Sequence, residues 1–378
     1  MFMNIGIFET QHFEGAYPMI RIMDIPGNQL TIFADENTYN RFKDLFGNDM
    51  QRYSWIVKPG NVSNRRFIWK VYKICKKEKT GVLFLNTVSA NFIWYGWMAA
   101  LLPSTKVILT LHDANAFLRS RFSINFRRSI RHIGKKILGH FCYAYSTVSE
   151  TVMEYLKNSM NEKKKIFCIP GAVYEGRNNF LQSYSCLQSL RLVVPGSIDG
   201  RRREYNKIFE LLEQINKHSL PVIIVLAGGP YGSYGQTMLD KFRAYGKLYS
   251  NLIYYESPVL DQSLFDAELD NGHFVWIPSV IKTVIDDGIE ETYGLTKSSG
   301  NIFDAIKHAK PLLVPKDLPM PSQLKSSTIA YDNIATLFAF LETITHYSGK
   351  YNDIAAEALS NSLAYTAEKK RMIVNELF

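Results

Sequence analysis

The feature that most constrains this chain is a succession of short, continuously apolar segments, each closed by a polar cluster and followed by a stretch of helical period. Asn4–Phe8, Gln29–Ala34, Val82–Leu85 and Val107–Leu111 are such segments, and the last two end at Asn86-Thr87 and His112-Asp113. Arg66–Lys77, Phe92–Leu102 and Phe126–Leu138 lie between or after them with helical spacing. Tyr143–Ser146, Ser149–Asn158 and Ile166–Ile169 continue as strand, helix and strand. Strands that are apolar at every position, not at alternate ones, belong to parallel sheets covered on both faces. The pattern then restarts. Leu192–Val194, Pro221–Ala227, Leu252–Tyr255, Phe274–Ile277 and, as the last strand, Leu312–Val314 alternate with the helices Tyr205–Lys217, Met238–Tyr249 and Ile302–Ala309. Polar Glu175–Ser189 reads as the connector. The expectation is an α/β protein of two doubly wound, Rossmann-like domains, residues 1–185 and 186–350. A helical segment, 351–378, packs back on the first domain. Ligands of such folds bind at the carboxyl ends of the strands, here in the cleft between the domains.

The 378 residues suffice for two cores. No apolar run reaches the length of a membrane span; the closest, Val82 to Pro103, is broken by Asn86, Thr87, Ser89 and Asn91. Met1–Glu9 reads as a strand, not a leader. Cys75, Cys142, Cys168 and Cys186 show no metal or disulfide spacing. A cytoplasmic protein is expected. The net charge of +9 is uneven. Residues 1–190 carry 25 Lys and Arg against 13 Asp and Glu, residues 191–378 carry 19 against 22, and no acid lies between Asp113 and Glu150. One half should therefore face an anionic surface or ligand. No nucleic-acid-binding motif accompanies the basic stretch, so no nucleic-acid partner is expected.

Several strand-end loops share one resemblance. Ser146-Thr147-Val148-Ser149-Glu150 and Ile169-Pro170-Gly171-Ala172-Val173 come first, then Val194-Pro195-Gly196-Ser197-Ile198-Asp199 with Arg201-Arg202-Arg203. Ala227-Gly228-Gly229-Pro230, Glu291-Thr292-Tyr293-Gly294 and Asp304 to Pro311 follow. In this order, over roughly residues 140–315, they resemble the motifs of GT-B glycosyltransferases of group 1, family 4-like, of the bacterial surface-polysaccharide type. The resemblance implies transfer of a hexose from a nucleotide sugar to a saccharide or lipid-linked saccharide, with retention of configuration.

Phosphates are bound by backbone N–H groups at a helix start and by Arg or Lys. Gly196, Ser197, Arg201, Arg202, Arg203 and Lys207 supply these types, with Gly228 and Gly229 in the next loop. The resemblance makes Glu291 a ligand of the donor hexose and lets backbone at Tyr293 and Gly294 approach the donor. The family's second carboxylate falls here on Ser299, so Asp304, one turn deeper, is expected on the ribose; Lys297 and Ser298 lie between. His112, a catalytic candidate beside Asp113, and the pair His12 and Glu14 lie on the acceptor side. Asp286-Asp287 does not make a metal signature, and neither a catalytic metal nor another cofactor is expected.

Two rival readings share these features: a sugar-nucleotide epimerase of the same fold, and a non-catalytic nucleotide, nucleic-acid or anionic-lipid binding protein. Phe126, Ile130, Ile133 and Ile137 recur at i, i+4, i+7 and i+11 among the cations of segment 119–136. Such a basic amphipathic helix suits an anionic membrane surface, which would place the protein peripherally on the inner face of the plasma membrane.

Overall fold

The structure, a computed structural model, describes residues 3–160, 164–176, 184–186, 188–285 and 288–373. Its first sheet holds β1 (Met3–Phe8), β2 (Asn28–Asp35), β3 (Ser54–Lys58), β4 (Val82–Leu85), β5 (Lys106–Thr110), β6 (Ala144–Thr147) and β7 (Lys165–Cys168). They run parallel in the order β3-β2-β1-β4-β5-β6-β7. The helices of this half are α1 (Phe13–Met23), α2 (Glu36–Phe46), α3 (Asn64–Lys77), α4 (Phe92–Ala100), α5 (Ala114–Leu118), α6 (Phe126–Phe141) and α7 (Glu150–Ser159).

Two apolar layers explain the unbroken strand runs. Phe8, Leu83, Leu85, Val107 and Leu109 pack on one face with Phe67, Val71 and Leu138. Their chain neighbours Ile7, Val82, Phe84 and Ile108 pack on the other with Met19, Ile20 and Phe42. Successive side chains point to opposite faces, so a strand covered on both sides must be apolar throughout.

The second sheet repeats the plan with β8 (Leu190–Pro195), β9 (Val222–Ala227), β10 (Leu252–Tyr254) and β11 (Phe274–Trp276). A separate antiparallel hairpin, β12 (Lys282–Ile285) and β13 (Ile289–Thr292), precedes β14 (Leu312–Pro315) and β15 (Thr328–Tyr331). The parallel order is β10-β9-β8-β11-β14-β15. Helices α8 (Tyr205–Lys217), α9 (Gly232–Leu248), α10 (Gln262–Asn271), α11 (Gly300–His308), α12 (Ile334–His346), α13 (Ser348–Leu363) and α14 (Ala367–Lys370) complete the chain. Leu312–Val314 is thus not the last strand: β15 pairs beyond it.

Tyr351 of α13 stacks edge-on against Phe274 of the second sheet, whereas Ala367 and Ile373 reach the core of the first. Arg371 Nη2 donates to the Asp24 carbonyl at 2.8 Å, and the Tyr174 amide to that of Tyr365 at 3.1 Å. The connector read at Glu175–Ser189 falls partly, and Asp286-Asp287 wholly, outside the described residues.

Candidate active site

The loops at the carboxyl ends of β1, β5, β7, β8, β9 and β11 all line one cleft of about 680 Å³ between the two sheets. On the side of the second sheet, Gly196 (φ +90°) turns the chain out of β8. Its amide donates to the Ala227 carbonyl at 2.8 Å, and that of Ile198 to Gly229 at 2.8 Å. The Gly196 amide is therefore engaged in the protein rather than offered to a ligand. A Cβ at Gly228 would lie 2.2 Å from the Gly196 carbonyl oxygen, so only glycine lets the two loops touch. Ser197, Gly228 and Gly229 line the cleft.

The three arginines have separate tasks. Arg203 is buried and donates to the Ser197 carbonyl at 2.8 Å, to that of Pro195, and to Asn301 Oδ1 at 3.0 Å. It braces the loop against the start of α11. Arg201 grips Asp199 with two hydrogen bonds of 2.9 and 3.1 Å and is not among the residues around the cleft. Burial alone would raise the Asp199 carboxyl, but the hydrogen bonds and charge of Arg201 outweigh it and hold it below the usual range. Arg202 lines the cleft with a largely exposed side chain, its Nε 3.7 Å from Asp199. Lys207 pairs with Glu204 at 2.7 Å and does not line the cleft.

Ser298, the N-cap Ser299, Gly300 and Asn301 bring the N-terminus of α11 to the same cleft. The unpaired amides of a helix start and its dipole favour an anion here, with Lys297 and Arg202 beside it. Asp304, one turn on, also faces the cleft and accepts from Asn301 Nδ2 at 3.3 Å. Burial raises its carboxyl above the ordinary value.

Glu291 and Gly294 depart from their expected places. Glu291 sits on β13, wholly buried, and is absent from the cleft lining. Its carboxylate accepts the amides of Ala116 at 2.7 Å and Asn115 at 3.3 Å, capping α5 of the other half. Its carboxylate is therefore engaged by the other domain and is not offered to the cleft. Gly294 (φ +80°) makes a turn whose absent Cβ would meet the Pro319 carbonyl at 2.3 Å, so its task is backbone packing. Tyr293, between them, does line the cleft.

Opposite stand His12, Glu14, His112 and Asp113. A residue the sequence did not single out organises them. Glu9, fully buried just past β1, accepts from the amides of Gln11 (2.5 Å) and His12 (2.8 Å), from Asn86 Nδ2 (2.6 Å) and from Thr87 Oγ1 (2.8 Å). The signal was available, since a lone acid directly after an apolar strand must find donors. Arg41, also overlooked, lines this side from α2.

Glu14 is wetted by the cleft yet enclosed between the domains. This desolvation, with the charges of Asp304 and Glu9 against a lowering backbone hydrogen bond, raises its carboxyl to about 7. His112 Nε2 lies 2.8 Å from the Asn86 carbonyl oxygen, so Nε2 carries the hydrogen and Nδ1 is the basic nitrogen. Burial, then the nearby His12 ring at 5.7 Å, lowers its pKa. Asp113 makes an ion pair with Lys297 across the cleft.

The apolar stripe of α6 does not pack on the sheet. Phe126 is 76% exposed, Ile130 and Ile133 are exposed, and only Ile137 is half-buried, against Gly96 of α4. The buried face carries His132, Gly134, Lys135 and Leu138 instead. Trp94 and Trp97 of α4, with Phe122 and Ile124, are exposed as well. Among the described residues no helix is long and apolar enough to cross a membrane.

No protein-family model and no curated protein matches the sequence. Solved structures do. The chain is similar to sucrose-phosphate synthase from Thermosynechococcus elongatus, with 11% identity and a TM-score of 0.59 over 99% of this chain and 98% of that one. It is also similar to the lipopolysaccharide outer core galactosyltransferase WaaB in its apo form, with 10% identity and a TM-score of 0.58 over 99% and 98%. UDP-GlcNAc 2-epimerase from Methanocaldococcus jannaschii follows at 15% identity and 0.57 over 99% of both chains. Two Rossmann-like domains facing across a cleft, as in these neighbours, define the GT-B fold. This chain has that fold.

Proposed function

We propose that the protein is a glycosyltransferase that moves a hexose from a nucleoside-diphosphate sugar to a saccharide or lipid-linked saccharide. The observation that carries this reading is a corner of the cleft whose groups suit an anion. There the N-terminus of α11, Arg202 and Lys297, the last paired with Asp113, line the same cleft as the loop at Ser197. These groups match a diphosphate, and they would stabilise the charge that grows on it as the sugar leaves. Asp304 suits ribose hydroxyls, because a carboxylate accepts two hydrogen bonds. No catalytic metal is part of the proposal.

On the acceptor side, Glu14 and His112 Nδ1 orient hydroxyl groups. In the retaining transfer we propose, the acceptor oxygen bonds to the anomeric carbon as the sugar–phosphate bond breaks, and the departing phosphate oxygen takes the acceptor proton. The exposed stripe of α6 and the tryptophans of α4, flanked by Arg127, Arg128 and Lys136, support reversible attachment to an anionic membrane surface.

The test is incubation with nucleotide sugars of each common base, with and without saccharide acceptors, followed by product analysis. Transfer, with product of unchanged anomeric configuration, is expected. The cluster of Glu14, His12 and His112 at the cleft supports one further reading, an epimerase acting on the nucleotide sugar itself. A changed nucleotide sugar formed without acceptor would decide for it.

A further inference from the structure

Lys297 belongs to one side of the cleft by position and to the other by contact. It stands two residues before Ser299, the N-cap of α11, yet its ammonium pairs with the carboxylate of Asp113, which follows β5 in the first domain. Both side chains line the cleft, and both also line a second cavity of about 580 Å³. Ser197, Ser299 and Asp304 line the first cavity and not the second, whereas Thr87, Ser89 and Thr283 line the second and not the first. The pair stands at the junction of the two.

The backbone under the pair is fixed without help from the side chains. Asp113 and Lys297 form an antiparallel bridge, the Ala114 amide donates to the Thr296 carbonyl at 2.8 Å, and the Gly294 amide donates to that of Lys297 at 2.8 Å. The side chains themselves are 23% and 33% exposed, so a ligand in either cavity can reach them. Among the described residues each is the other's only ion partner. An exchange of partners here needs rotation of two side chains and no movement of a domain.

We infer that Asp113 holds the place of the donor's diphosphate on Lys297, and that the diphosphate takes the ammonium over when it binds. The inference rests on the transferase reading above. A diphosphate carries more charge than a carboxylate, and the N-terminus of α11 and Arg202 favour an anion in the same cleft. No covalent bond changes: the ammonium gives up a carboxylate oxygen and gains a phosphate oxygen. Asp113 is left beside His112 on the wall of the second cavity, where its carboxylate accepts from a sugar hydroxyl. In the empty cleft that carboxylate is occupied by Lys297.

The test is calorimetric titration of the full chain with nucleoside diphosphates of each common base. It compares the wild type, Asp113→Asn, Lys297→Gln and the double variant. Asp113→Asn frees Lys297 in advance, so affinity should rise about three- to fivefold, the worth of a partly exposed ion pair. Lys297→Gln should lower it about tenfold. The double variant should bind as Lys297→Gln does, because Asp113 acts through Lys297. Melting curves check that each variant is folded, and Asp113→Ser takes the place of Asp113→Asn if that variant is not. Unchanged or weaker affinity in the folded Asp113 variant overturns the inference, since the pair then persists with ligand bound. An equal gain with and without Lys297 also overturns it, because Asp113 would then merely repel the diphosphate. So does an unchanged affinity in Lys297→Gln. Failure of the wild type and of every variant to bind any nucleoside diphosphate would instead count against the transferase reading.

Discussion

The Glu291 carboxylate accepts the Ala116 amide at 2.7 Å across 175 residues of sequence, joining the β12–β13 hairpin of one domain to the start of α5 in the other. With Asp113 and Lys297 beside it, this contact fixes how the two halves of the cleft stand relative to each other. Glu291→Ala leaves two buried amides without an acceptor. It should cost about 3 kcal/mol in denaturant unfolding, while the affinity of the folded protein for nucleoside diphosphate changes less than about twofold, a factor worth only about 0.4 kcal/mol. A large loss of nucleotide affinity with unchanged stability would return Glu291 to the site.

Adjacent arginines should respond in opposite ways. Arg202→Gln removes an exposed cleft cation, so nucleoside diphosphate affinity should fall about tenfold or more with little change in melting temperature. Arg203→Gln removes a buried guanidinium that holds Pro195, Ser197 and Asn301. It should lower the melting temperature first, and calorimetry with titration separates the two effects.

Glu14 gives a pH signature. Its folded-state pKa of about 7 lies above the ordinary carboxyl value of 4.5. The folded protein therefore binds more protons than the unfolded chain between these values, and this group's contribution falls as pH rises through that window. Glu14→Gln should match the wild type in melting temperature below the window and exceed it above pH 7. The variant should also lose any limb of the rate profile near pH 7. A melting curve that differs equally at pH 4 and pH 8 would contradict the assignment.

The exposed face of α4 and α6 is tested with vesicles. Trp97→Ser/Ile130→Ser should reduce binding to phosphatidylglycerol vesicles without lowering stability, because both side chains already face water. Wild-type binding should weaken with salt, as screened attraction does.

The architecture was legible because its strands are covered on both faces: Val82–Leu85 and Pro221–Ala227 announce themselves as unbroken apolar runs. The edge strand β3 and the late strand β15 were not, since Ser54–Lys58 and Thr328–Tyr331 are short and only partly buried. The hairpin carrying Glu291 was hidden by its polar, half-exposed composition. Loop motifs located the cleft, since a turn such as Gly196 to Asp199 is a local matter. The roles within Arg201, Arg202 and Arg203 were not local. Three consecutive side chains leave one loop in three directions, and only Asp199, the solvent and Asn301 decide which goes where. The same holds for Glu291, whose partner lies in another domain.

The diphosphate of a nucleotide sugar is proposed to bind in the corner formed by α11, Arg202 and Lys297. Calorimetric titration of the wild type and Arg202→Gln with nucleoside diphosphates of each base tests it most directly. One saturable site per chain is expected for at least one base, competed by the matching nucleotide sugar. Stabilisation of about 2.7 kcal/mol is expected at 100 times the dissociation constant, weakened in the variant. No binding of any nucleoside diphosphate or nucleotide sugar, or binding that Arg202→Gln leaves unchanged, would contradict it.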